Sequence, residues 1–200
     1  MIDTLEINNF VDNKYNNLIN HLLNDTDFCW YHGYSTLKRF SIFSHTLLRR
    51  TDGVPALPEN ERIRSDFFKN FKQLFLNGCN KNKIKVKDIF RMNLNLTMHR
   101  PEPYCDFHVD HTFPHTNSII YLNDFNEGNT FIYNEVYSQI LKKIGNATAL
   151  PYEKYENFFS VKKKFKPKKN KAVFFNGNYF HNNSFCKPGE LRLVLVTTFI

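Results

Sequence analysis

The chain has 200 residues, enough for one domain with a sizeable core, and no apolar run long enough to span a bilayer. Its formal net charge of +8 is local: seven lysines and no acid lie between Val161 and Lys171, and removing those seven charges leaves +1, so a basic surface all round is excluded. The four cysteines, Cys29, Cys79, Cys105 and Cys186, are scattered without a CxxC pair, which argues against a zinc ribbon or disulfide framework and for free thiols.

Met1 to Glu6 lacks the basic and then apolar pattern of a signal peptide, and cytoplasmic residence is the expectation. Residues 1–85 read as mainly helical support. Asp12 is placed to cap a helix with Leu18, Ile19, Leu22 and Leu23 at helical spacing. Arg49 to Asn60, with Gly53, Pro55 and Pro58, reads as a loop. A second helix is predicted from Ser65, with Phe67, Phe68, Phe71, Leu74 and Phe75 on one side and Gly78 as its stop.

The pattern changes near Val86. Phe90, Met92, Leu94, Leu96 and Met98 alternate with Arg91, Asn93, Asn95 and Thr97, which is the period of a half-buried strand. Further short strands are predicted at Ser118 to Leu122, Thr130 to Tyr133, Ala172 to Phe175 and Leu191 to Phe199. Asn134 to Asn170 is less legible: a helix fits Val136 to Ile144, and the lysine run reads as a solvated loop able to draw an acidic substrate or nucleic acid toward a nearby site. Helices first and strands afterwards point to a mainly β, α+β fold, a sandwich or jelly roll over residues 86–200 with helices on one outer face, in a single domain 1–200.

His108-Val109-Asp110 lies between two of these strands. Side chains alternate in a strand, so His108 and Asp110 point one way and Val109 the other. A distant histidine added to that pair makes a two-histidine, one-carboxylate face with open coordination positions, suited to non-haem Fe(II) and O2. HxD alone occurs often by chance, and His111 and His115 crowd the same region. Phe113-Pro114 opposes a helical zinc cluster of His108, His111 and His115. The apolar run Phe174-Phe175 turns at Gly177 and delivers His181, 71 residues after Asp110. A single histidine is ordinarily structural, but Arg192 alters the balance. It sits in the apolar strand Leu191 to Val196, where a buried guanidinium needs an anionic partner such as a dicarboxylate.

At these residues the chain resembles the 2-oxoglutarate and Fe(II)-dependent dioxygenases, especially the prolyl-4-hydroxylase-like branch, from about Arg91 to Ile200. The matching pieces, in the family's order, are His108-Val109-Asp110, Ile119 to Asp124, Asn126 to Phe131, Lys171 to Phe175, His181 and Pro188 to Leu193. The resemblance implies a double-stranded β-helix, with His108, Asp110 and His181 holding iron. Arg192 and Tyr121 would bind the distal carboxylate of 2-oxoglutarate. It further implies O2 as oxidant, ascorbate as an accessory reductant, and hydroxylation of a C–H bond with succinate and CO2 as coproducts. Where many relatives carry a tyrosine for the metal-proximal end of the cosubstrate, this chain has Met98; Asn93, Asn95 and Tyr104 are the candidates to replace it.

The substrate class stays open between a peptide and a small molecule. Relatives that repair alkylated nucleic acid carry a second arginine soon after the first, and none follows Arg192, which disfavours nucleic acid. Two other readings use the same barrel: a cupin-like zinc or manganese protein, which needs neither Arg192 nor Tyr121, and a lysine-rich, non-catalytic binding module. Arg49 to Asn60 and Asn134 to Asn170 are candidate lids.

Overall fold

The computed structural model describes residues 2–51, 53 and 57–200. In chain order the elements are β1 (Thr4–Ile7), α1 (Asn16–Asn24), β2 (Tyr31–Tyr34), β3 (Ser41–Leu48), α2 (Glu59–Arg62), α3 (Phe68–Lys81), β4 (Ile89–Met98), β5 (Phe107–His108), β6 (Thr116–Tyr121), β7 (Thr130–Val136), α4 (Tyr137–Ile144), β8 (Ala149–Leu150), α5 (Tyr152–Tyr155), β9 (Val161–Phe165), β10 (Ala172–Asn176), β11 (Tyr179–Asn183) and β12 (Leu191–Phe199). They build a seven-stranded sheet, β1-β10-β6-β12-β4-β3-β2, and a five-stranded sheet, β8-β5-β11-β7-β9. The strand pairs are antiparallel.

The alternation in β4 works as a partition between two interiors. Met92 and Leu94 join Leu193, Leu195 and Phe199 of β12 in one buried cluster with Ile19 and Leu22 of α1 and Phe68, Phe71, Leu74 and Phe75 of α3. Side chains of α1 and α3 thus share one buried core with β4 and β12 of the larger sheet. Each fully buried phenylalanine there contributes roughly 1.5–3 kcal/mol relative to an exposed one. The opposite, polar face of β4, carrying Arg91, Asn93, Asn95 and Thr97, does not face bulk water. It walls a cavity between the sheets, and Asn93 is buried.

Several expectations are corrected. The first 85 residues supply three strands of the larger sheet besides helices: β1 pairs with β10, and β3 joins β2 to β4. Asp12 precedes a short 3-10 turn and makes no side-chain cap; its carboxylate lies 3.4 Å from Lys81 Nζ instead. The second helix begins at Phe68 rather than Ser65, whose hydroxyl accepts from Phe67 N at 3.2 Å. Gly78 is not its stop. It lies inside α3, and a Cβ there would stand 2.3 Å from the Phe10 ring, so glycine serves helix packing. The loop expected at Arg49 to Asn60 ends in α2 from Glu59, and its positions 52 and 54–56 lie outside the described residues. The lysine run is not simply a loop: Val161–Phe165 is the edge strand β9, paired with β7. Lysines on an exposed edge discourage pairing with another chain. The remaining reading of that region, a helix at Val136 to Ile144, corresponds to α4. The four cysteines are free.

Candidate functional site

β5 is only two residues long, held between β8 and β11, and its register places His108 directly opposite His181. Phe107 and Val109 point into an aromatic cluster with Tyr133, Phe159 and Phe180. That alternation turns His108 and Asp110 the other way, into the cavity. The His108 and His181 rings lie 4.2 Å apart between centroids, and His181 Nε2 is 3.5 Å from Asp110 Oδ2. One ligand atom from each of His108, Asp110 and His181 falls within 4.8 Å of the others.

The surroundings prepare these groups as ligands. His108 Nδ1 lies 3.0 Å from the Asp106 carbonyl, which can only accept, so Nδ1 carries the proton and Nε2 is left with a lone pair for a metal. Burial, followed by the neighbouring His181, pushes the His108 pKa down to about 4, so the ring is neutral at pH 7. Burial alone would raise the Asp110 carboxyl. The His181 hydrogen bond and the Arg91 guanidinium outweigh it and hold Asp110 well below the usual carboxylate range. Arg91 Nη1 donates to Asp110 Oδ1 at 2.9 Å. Among the described residues, buried His181 Nδ1 has no hydrogen-bond partner. The His108 and His181 imidazoles and the Asp110 carboxylate, converging in one cavity, fit a divalent metal with open positions.

His111 and His115 stand apart from this set. His111 Nε2 is 2.8 Å from Thr198 Oγ1, and His115 Nδ1 donates to the Phe113 carbonyl at 2.8 Å. His115 explains Gly177 as well, since a Cβ at that residue would lie 2.0 Å from His115 Nε2.

The same cavity, about 480 Å³, reaches Arg192 at its other end. Arg192 is 4 % exposed and has no acidic partner among the described residues. Its Nε donates to Gly128 O at 3.3 Å and its Nη2 to Thr130 Oγ1 at 3.3 Å. Tyr121, fully buried, donates its hydroxyl to Thr130 Oγ1 at 2.8 Å, with its ring 5.9 Å from the guanidinium. Burial lowers the Arg192 pKa, and Tyr121 opposes that shift. Gly128 has φ +58°, and a Cβ there would approach the Phe125 ring at 2.7 Å and Arg192 Cδ at 3.3 Å, so the turn crosses the arginine only as glycine.

Asn93 and Asn95 both line the cavity and are hydrogen-bonded to each other. Tyr104 goes elsewhere: its ring packs 4.6 Å from Tyr152 and 5.3 Å from Phe131, and it is not among the cavity-lining residues. Met98 ends β4 with 45 % exposure. Three cavity features went unread in the sequence: the Arg91–Asp110 pair, Thr130 between Tyr121 and Arg192, and the polar side chains Ser44 and Thr46 of β3. Arg91 was signalled only as one polar position in an alternating strand. Ser44 and Thr46 of β3 belong to no motif in the sequence.

Neither a family model nor a curated protein matches the sequence. Solved structures do match in fold. A 2OG-Fe(II) oxygenase family oxidoreductase from Burkholderia pseudomallei superposes with TM-score 0.59 at 13 % identity, covering 98 % of this chain and 84 % of that one. The non-heme alpha ketoglutarate dependent carbocyclase SnoK from nogalamycin biosynthesis gives TM-score 0.65 at 6 % identity, covering 99 % and 80 %. A Pseudomonas putida prolyl-4-hydroxylase gives 0.52 at 10 % identity, covering 100 % and 92 %. The two antiparallel sheets of this chain thus have the jelly-roll fold seen in 2OG-Fe(II) oxygenases.

Proposed function

We propose that this protein is an Fe(II)- and 2-oxoglutarate-dependent oxygenase that hydroxylates a C–H bond of its substrate, releasing succinate and CO2. The observation that carries the reading is Arg192: a buried cation with only long, neutral hydrogen bonds, opening on the cavity that holds His108, Asp110 and His181. A buried guanidinium without a carboxylate is costly, and the distal carboxylate of 2-oxoglutarate is the partner it lacks.

His108, Asp110 and His181 would hold the iron, leaving positions for the keto acid and O2. Bound there, the metal and cosubstrate supply the oxidising chemistry, and the protein supplies position and a dry wall. Arg192 and Thr130 line the far end and would anchor the distal carboxylate, with Tyr121 behind them, reaching the anchor through its hydrogen bond to Thr130 rather than from the cavity wall. Asn93 and Asn95 face the space between anchor and metal, where their amides can take the metal-proximal end of the cosubstrate in place of a tyrosine. Arg91 holds one Asp110 oxygen and so fixes the carboxylate plane toward His181. The cavity volume is that of a small-molecule site, which favours a small substrate or a single side chain over a long peptide groove. Fold alone does not select hydroxylation, since a carbocyclase shares it.

Arg192 and Tyr121 are superfluous in a cupin-like metal protein, and the lysines of β9 do not line the cavity, so neither of those readings accounts for the site. Anaerobic Fe(II) titration with 2-oxoglutarate tests the proposal. The weak visible charge-transfer band of an iron–keto acid chelate is expected in the wild type and lost in Asp110→Ala. Folded, iron-loaded wild type without the band would refute it.

A further inference from the structure

β9 is the last strand of the five-stranded sheet and pairs with β7 on one side. Among the described residues nothing pairs with its other side, and no residue from Val161 to Phe165 makes a backbone hydrogen bond beyond the ladder. An antiparallel strand turns alternate N–H and C=O groups away from its neighbour, so this edge presents open donors and acceptors. Val161, Lys163 and Lys164 are exposed on it, while Phe165 is buried in a core shared by both sheets and fixes the strand.

Successive side chains of a strand leave by opposite faces. Lys163 Nζ lies 6.0 Å from the Phe165 ring and Lys164 Nζ 5.5 Å from the Phe131 ring, and those rings belong to different buried clusters. The two ammonium groups therefore flank the edge from either side. The turn that follows is tied down. Lys171 Nζ donates to Lys166 O at 3.0 Å, Lys169 N to Asp124 Oδ1 at 3.1 Å and Asn170 N to Tyr121 O at 2.9 Å. It holds Lys166, Lys168 and Lys169 directly after the strand.

Two lysines of this run have acids: Lys162 lies 3.4 Å from Asp3, and Lys171 3.3 Å from Glu6. Asp3 immediately precedes β1 and Glu6 lies within it, so the chain itself shows what the run accepts, carboxylates on an extended segment. Lys163, Lys164, Lys166, Lys168 and Lys169 have no acidic partner among the described residues. Glu135 of β7, the neighbouring strand, is bonded to Ser160 N and Oγ instead.

We infer that the outer edge of β9 docks an extended, acidic segment of another protein. The segment adds a strand to the sheet through backbone hydrogen bonds and sets alternate carboxylates against Lys163 on one face and Lys164 on the other. A second copy of this chain is disfavoured there, because its β9 would bring lysine against lysine. Nucleic acid would meet the charge but leave the backbone edge unpaired. The lysines do not line the cavity, so the inference stands apart from the oxygenase reading.

The test titrates the full 15N-labelled chain with an acetylated and amidated octapeptide of alternating glutamate and threonine, read by amide shifts and amide hydrogen exchange. Saturable shifts centred on β9 and slower exchange of amides between Val161 and Phe165 are expected. The same peptide with proline in place of threonine keeps the charge but loses strand donors, and should bind about tenfold more weakly or worse. Lys163→Glu/Lys164→Glu should weaken binding about tenfold or more, with Lys163→Gln/Lys164→Gln between it and wild type. Lys85→Glu/Lys87→Glu, an equal charge change on exposed lysines before β4, should leave affinity within about threefold. The amide spectrum of each variant shows that the sheet is intact. A single-stranded pentadeoxynucleotide carries the same charge as the octapeptide and should bind less tightly. Equal affinity for the proline peptide, unchanged affinity in the Lys163→Glu/Lys164→Glu variant, tighter binding of the pentadeoxynucleotide, or no saturable shift would each overturn the inference.

Discussion

Replacing Arg192 by methionine separates a binding role from a structural one, because the two predict opposite signs. In the ligand-free protein the guanidinium is 4 % exposed and its protein acceptors, Gly128 O and Thr130 Oγ1, are neutral and 3.3 Å away. Replacing buried charges by apolar groups of similar volume is often neutral or stabilising by about 1–4 kcal/mol. Leaving Gly128 O without its donor takes back about 1 kcal/mol, while Thr130 Oγ1 keeps the Tyr121 hydroxyl. The metal-free Arg192→Met protein should therefore be as stable as wild type or up to about 3 kcal/mol more stable. Binding should move the other way. Two charge-assisted bonds to a carboxylate, at about 1.5–3 kcal/mol each, correspond to a 2-oxoglutarate affinity weaker by about two to four orders of magnitude. Urea unfolding of the metal-free protein gives the first quantity and anaerobic titration with Fe(II) the second. A variant less stable by 2 kcal/mol or more, with cosubstrate affinity within threefold of wild type, would show that Arg192 is a structural cation and refute the argument.

Three other outcomes follow from the geometry. Arg91→Met removes the cation 2.9 Å from Asp110 Oδ1 and should weaken Fe(II) or Co(II) binding about 10–100-fold, as loss of a ligand-orienting partner does; an unchanged metal Kd would contradict that role. Acid should destabilise the metal-free protein, because His108 titrates near 4 and His111 near 3 when folded against 6.5 when unfolded. The unfolded chain binds more protons in that window, so stability is full above pH 6.5 and falls toward pH 4, by about 1.4 kcal/mol per pH unit for each imidazole. Urea unfolding at a series of pH values checks this, and a flat profile between pH 6.5 and 4.5 would sink it. Gly78→Ala drives a methyl into the Phe10 ring, which is packed at 5.5 Å against Phe174. The clash should exceed the helix-propensity gain and cost about 1–3 kcal/mol, a melting temperature several degrees lower; a higher one would mean that Phe10 can move aside.

What was legible in the sequence was local periodicity and motif order. β4 alternates over nine residues, β12 is a nine-residue, mostly apolar run, and the ligand motif, the glycine turn at Gly128 and Arg192 occur at spacings that a pattern can hold. What was not legible depends on partners far along the chain. β1, β2 and β9 are four or five residues long and mostly exposed, so no buried face marks them; backbone pairing with β10, β3 and β7 defines them. Gly78 carries the same composition signal as a helix stop, and only Phe10, 68 positions earlier, makes it an interior contact.

The polar face of β4 is where these two limits meet. Alternation establishes that Arg91, Asn93, Asn95 and Thr97 share one side, but it cannot say whether that side meets water or a second sheet. Here β5 and β11 of the other sheet bring His108, Asp110 and His181 to the same cavity, so residues that read as a solvated face become its wall. Under the proposed function, that placement also bears on the three candidates for the metal-proximal end of the cosubstrate. Asn93 and Asn95 stand on the wall between Arg91 and Thr97, whereas Tyr104, chemically the nearest substitute for a tyrosine, is packed against Tyr152 and Phe131 outside the cavity lining. Chemical likeness favours Tyr104 and position favours the asparagines. Position governs, because a hydrogen bond fails beyond about 3.5 Å whatever the donor.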